Sequence, residues 1–255
     1  MADWTAFAGF AGVVTALLLL LSHASRGVID TDGRVRAPES HVAAEGLETD
    51  GVSTPATGTT SMPTSVLLVN VAVSQGLFGV VLVGAAWYTQ IPPRAFGVTR
   101  LSVAALGLGV ALGVALYLAN ELGATLTRRA GVATGEELRA LLAPSTTGGW
   151  LLLLLVVLPV IAGFEELLFR GALVGALSAG FAVSPWLLAV VSSVAFALGH
   201  GAQGPGGVVV TGSLGFVLAA AFVLTDSLAV VFVAHYLVNA LEFVVHERLD
   251  VDWAS

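Results

Sequence analysis

Cysteine is absent from this 255-residue chain. That excludes disulfides, thiolate metal sites and a cysteine nucleophile. Lysine is absent too, so all ten basic residues are arginine, set against 17 acids for a net charge of −7. No basic patch suggests nucleic acid, and none is expected as a partner. Charge of either sign is scarce, at 11% of residues, where soluble domains carry roughly 25%. Strand-like alternation is lacking, which argues against a barrel.

What is present is apolar: 56% of residues are hydrophobic and the mean hydropathy is +0.93. The apolar residues fall in blocks of about 20, the length that crosses a hydrocarbon core of roughly 30 Å. The pattern predicts an all-α fold, a polytopic transmembrane helical bundle of about seven spans. Such a protein is a multi-pass integral protein of the cell membrane, with the lipid bilayer as a standing partner. The expected spans are 5–22, 65–88, 101–122, 150–178, 185–199, 208–224 and 227–245. The N-terminus carries Asp3 and no basic residue before its apolar run, so that run is expected to be a span, not a cleaved signal.

Between the first two spans, residues 23–64 hold six acids, three Arg and Pro38, Pro55 and Pro63. This stretch is too polar to order itself and is expected to be a disordered loop in which His41 is solvated. Thr134-Gly135-Glu136-Glu137 resembles a capped helix start, its two carboxylates solvated. The Gly-rich stretch 201–207 is expected to be a turn, because a phosphate loop would need a lysine. Gly107, Gly109 and Gly113 on the third span should let helices approach closely. Glu121, near the end of that span, reads as an interfacial carboxylate beside Arg128 and Arg129. Arg residues are spread too evenly over the loops to orient the chain firmly, with a lean towards an outside N-terminus. The expected organisation is an N-terminal membrane region over 1–147, a catalytic helical core over 148–246 and a tail over 247–255. The first region is expected to contribute only spans.

The chemistry gathers around Gly163-Phe164-Glu165-Glu166-Leu167-Leu168-Phe169-Arg170. Two adjacent carboxylates at the end of an apolar run cost on the order of 3 kcal/mol each to insert, so partners are required. Arg170 is one. Glu165 lies about 17 residues before the turn at 180–183 and His200 about 18 after it, so the rise along two antiparallel helices puts them at one depth. His235 and Asn239 are four apart and share a face, which Glu242 and His246 continue. Two His and a carboxylate (Glu165, His200, His235) could hold a divalent metal, with zinc the expected ion and a position open for water. Alternatively Glu165 and His200 alone activate water, and His235 or Asn239 donates to an oxyanion. Both describe hydrolysis of a carbonyl bond. Ser192, Ser193 and Ser213 lack a Gly-x-Ser-x-Gly setting.

Glu165-Glu166-x-x-x-Arg170, Phe196-x-x-x-His200 and His235-x-x-x-Asn239 resemble, in order, the three signature motifs of the CPBP intramembrane proteases. That family includes the Rce1-type CAAX prenyl endopeptidases and the Abi bacteriocin-immunity proteins. The resemblance covers roughly residues 148–246. It implies an intramembrane endopeptidase acting on a membrane-associated peptide or protein, prenylated or lipid-linked. It implies that Glu165 works on water with His200, that His235 and Asn239 bind metal or stabilise the oxyanion, and that Glu166 and Arg170 shape and neutralise the site. Glu242 lies outside the signature and is expected to be a supporting or local helix partner. The motif does not choose between a metal and a glutamate mechanism. Two other classes stay open: a non-catalytic immunity or scaffold protein whose polar cluster glues helices, and a proton or metal transporter.

Overall fold

The computed structural model describes residues 1–25, 63–129 and 136–251. The expectations for His41, for most of the 23–64 loop, for Thr134-Gly135 and for the side chains of Glu136 and Glu137 fall outside the described residues. Among the described residues there is no strand. The helices are α1 (Trp4–Ser25), α2 (Thr64–Tyr88), α3 (Val103–Arg129), α4 (Glu136–Leu142), α5 (Thr147–Phe181), α6 (Pro185–Gly199), α7 (Gly204–Thr225) and α8 (Leu228–Arg248). Six of them are long and apolar enough to cross a membrane, and α6 is a shorter apolar helix of 15 residues.

The exposed surface is what a lipid solvent requires. Leu20, Val73, Leu77, Val80, Leu155 and Leu187 all face outwards. In water that pattern would drive aggregation, whereas in hydrocarbon it costs nothing. The protein is a multi-pass integral membrane protein.

Helix association therefore rests on close packing and polar contacts. Gly109 and Gly113, four apart on α3, lie against α8 so closely that a Cβ would come within 2.9 Å of the Val230 and Ala234 carbonyl oxygens respectively. Gly107 has nothing within 4 Å and plays no such part. The α3–α8 contact thus uses two of the three glycines expected to allow it. A second core joins α1, α5 and α6 to the short turn Pro93–Phe96 through Phe7, Phe96, Phe169 and Phe196. The Phe7–Phe96 and Phe169–Phe196 rings meet edge to face at 5.3 and 5.1 Å.

Two local expectations are corrected. The helix after the Gly-rich stretch begins at Gly204, not residue 208. Pro205 lies in its first turn, where a missing N–H costs no hydrogen bond, and Gly201–Gln203 forms a single 3-10 turn. Likewise α3 runs on to Arg129, so Glu121 lies within a helix and is buried.

α5 is 35 residues long and widens twice into π-helical turns, over Leu153–Val157 and Leu167–Ala176. The first has a local cause. Pro159 lacks an N–H and its ring crowds the carbonyl four residues back, and the Leu158 N–H reaches five residues back to the Leu153 carbonyl. The second begins directly after Glu166 and contains Arg170. Wide turns of this kind are frequent at functional sites.

Candidate active site

A cavity of about 370 Å³ opens between the helices and is lined by Glu165, His200, His235 and Asn239 at one end. Glu165 comes from α5, His200 from the C-terminus of α6, and His235 and Asn239 from α8. The short turn after Phe181, restarted by Pro185, makes α5 and α6 antiparallel neighbours, which brings Glu165 and His200 to one level.

Glu166 is the buried anchor. Its Oε1 accepts a hydrogen bond from Arg170 Nη1 at 2.6 Å and lies 2.6 Å from His235 Nδ1. Against a carboxylate, that Nδ1 carries the proton and donates. Arg170, 1% exposed at its side chain, also donates from Nη2 to the Gly215 carbonyl at 2.8 Å. Its guanidinium lies 4.8 Å from the centroid of the Phe196 ring. Removing one member of such a buried pair strands the other charge, at a cost of about 3–5 kcal/mol.

His200 is held in the same way from behind. Its Nδ1 sits 2.8 Å from the Phe196 carbonyl, to which only an N–H can bond. Phe196 packs on the His200 ring at 4.4 Å and on the His235 ring at 5.9 Å. Both imidazoles therefore spend Nδ1 on a fixed acceptor and turn Nε2 towards Glu165. His200 Nε2 lies 3.9 Å from Glu165 Oε1, and His235 Nε2 lies 3.6 Å from Oε2. These gaps exceed a direct hydrogen bond of about 3.2 Å and match groups bridged by a water. The donor types also suit a divalent metal: two imidazole lone pairs, each backed by an acceptor, and one carboxylate.

The far end of the cavity is a different cluster. His246 Nε2 is 2.6 Å from Glu121 Oε1 and 3.8 Å from Glu242 Oε2. Arg139 donates from Nη1 to Glu242 Oε2 and from Nε to Glu247 Oε1, both at 2.8 Å. Asn120 Nδ2 donates to Glu242 Oε1. Among the described residues, this is where a group of three ligand atoms all lies within 4.8 Å of one another: Glu121, Glu242 and His246. Glu165, His200 and His235 are more widely spaced.

The structure thus collects every expected site residue in one region. Glu165, His200, His235 and Asn239 line the cavity, and Glu166 and Arg170 lie behind it. It corrects the expectation that residues 1–147 contribute only spans, because Gln75, Asn120, Glu121 and Arg139 line the same cavity. Glu121 is paired with His246, and Glu242 reaches α3 and α4 as well as its own helix. Phe196 stands in the second motif, but its packing on both imidazoles was not read from the sequence, nor was the close approach of Gly215, where a Cβ would come within 2.8 Å of Phe196. The readable signal was Asn120-Glu121 inside an apolar run and the Glu242–His246 spacing of four. Ser192, Ser193 and Ser213 each donate to a backbone carbonyl, of Phe169, Ala189 and Val209.

Comparison with known proteins bears on this site directly. Residues 147–241 match the model of a family described as type II CAAX prenyl endopeptidase Rce1-like. The matched stretch, which is less than half the chain, contains all three motifs and implies a protease. No curated protein and no solved structure gives a match.

Proposed function

We propose, starting from the Rce1-like match over 147–241, that the protein is an intramembrane endopeptidase that hydrolyses a peptide bond of a membrane-associated substrate. One observation carries the reading. Two histidines, each fixed at Nδ1, aim Nε2 at the two oxygens of one buried carboxylate, with gaps sized for a water between.

In this reading Glu165 takes a proton from water while His200 Nε2 orients it. The water oxygen bonds to the substrate carbonyl carbon. Asn239 donates to the oxyanion that forms, and His235 adds an Nε2–H when protonated. The C–N bond then breaks, and the proton held by Glu165 passes to the leaving amine. Glu166 and Arg170 do not touch substrate; they fix the orientation of His235. Glu165, His200 and His235 are the residues that would hold a zinc ion. Bound there, it would supply Lewis acidity and a more acidic water.

The test uses the purified protein in detergent with a peptide prenylated at a C-terminal Cys-a-a-X sequence and its unprenylated counterpart. Wild type cleaves the prenylated peptide, and Glu165→Gln and His200→Ala do not. Cleavage that survives in Glu165→Gln overturns the mechanism. Metal content measured on wild type beside His200→Ala and His235→Ala then separates the metal-assisted from the glutamate route.

A further inference from the structure

We infer that the far end of the cavity is a second, separate metal site, in which Glu121, Glu242 and His246 bind a divalent first-row transition ion. His246 lies 11 residues beyond His235, about 16 Å further along α8, so this cluster is distinct from the one around Glu165. It needs neither the proteolytic reading nor any residue of that site.

Three observations converge on it. The ligand atoms of the three residues lie within 4.8 Å of one another. Four-coordinate ligands at bonds of 2.0–2.2 Å stand about 3.4 Å apart; His246 Nε2 lies 3.8 Å from Glu242 Oε2 and 2.6 Å from Glu121 Oε1, the latter a hydrogen bond that an ion would replace. Second, Glu121 is nine-tenths buried at its side chain, yet its Oε2 has no hydrogen-bond partner. A buried carboxylate oxygen left bare is costly, and a cation would satisfy it. Third, among the described residues the charge at this end is mostly negative. Glu242 and Glu247 share the guanidinium of Arg139, and Glu121 pairs with the imidazole of His246. A divalent ion would neutralise the excess, and a mixed set of carboxylate oxygens and imidazole favours a zinc-like or cobalt-like ion over magnesium or calcium. It would also tie α3 to α8 at this end of the cavity.

Arg139 shares Glu242 Oε2 with the proposed ion, which makes the idea testable by a gain as well as a loss. The full-length protein, stripped with chelator in detergent, is titrated with CoCl2 and followed by visible absorption and by thermal unfolding. Wild type should bind cobalt and unfold at higher temperature when loaded. Glu121→Gln and His246→Gln should weaken binding at least tenfold. The double variant Glu165→Gln/His200→Ala should bind at this site as wild type does, even with cleavage abolished. Arg139→Gln should bind cobalt more tightly than wild type, a result that misfolding cannot produce. Failure of wild type and Arg139→Gln to bind cobalt would overturn the inference and leave a shared proton as the neutralising species. So would equal binding in Glu121→Gln and wild type.

Discussion

The two ends of the cavity use the same residue types to opposite effect. Around Glu165 the imidazoles are held at Nδ1 by groups behind them, and the functional atoms stand 3.6 and 3.9 Å apart, with room between. Around Glu242 the groups touch. Arg139, Asn120 and His246 stand between carboxylates in direct contacts, 2.6–2.8 Å for Arg139 and for His246 with Glu121, and Oε2 of Glu121 is left bare. Reactivity needs groups that are fixed but not satisfied by each other. Stability needs the reverse. If the Glu165 end acts as proposed, the bonds that count there are the ones facing away from the cavity.

The sharpest way to break this comparison is Glu165→Gln. Cleavage should fall about a thousandfold or more, with the unfolding temperature in detergent nearly unchanged. A loss of that size from a far-end variant, with Glu165→Gln active, would reverse the assignment. Arg170→Met acts from behind the site. It leaves Glu166 buried without its guanidinium and should lower stability by about 3–5 kcal/mol, read as an earlier thermal transition. Asn239→Ala should cost about a hundredfold in kcat with little change in KM, the mark of a donor used in the transition state. If KM alone changes, Asn239 binds substrate and does not serve the oxyanion. The smallest expected effect is that of Gly113→Val. It forces α3 away from the Ala234 backbone, beside His235, at about 1–3 kcal/mol. The paired substitution Gly107→Val, at a position with open space, should leave both stability and cleavage as they are.

The placement of Glu165 beside His200 and His235 was largely legible because it follows from short connections. One tight turn with Pro185 makes the depths of Glu165 and His200 a matter of counting. The spacing of four between His235 and Asn239 fixes a shared face. The spans were legible because lipid demands length and apolarity and little else. The far end was not. Glu121 and His246 are separated by 125 positions and lie on helices that are not consecutive. Gly109 and Gly113 announce that α3 packs closely on something, without saying on what. Phe196 opens the second motif, yet counting along α6 places it only one turn before His200 and could not show that its ring also packs on His235. The start of α7 was misplaced for a simpler reason. A run of glycines with a proline suggests a turn, yet a helix accepts both in its first turn.

The wide turn of α5 over Leu167–Ala176 has a consequence for how this protein could tolerate change in its length. A π turn holds one residue more than an α turn in the same space, so it behaves as an insertion absorbed within the helix. Removing a single residue there would restore ordinary winding and leave the two flanks facing as they do, whereas a deletion in the ordinary α winding of Leu158–Glu166 would rotate one side by about 100° relative to the other. The second change would turn Glu165 away from His200 or the residues before it away from their neighbours. A loss of one residue should therefore be accepted in the connecting loops and within the wide turn, and refused in the regular winding before it, where one codon sets the direction of a carboxylate.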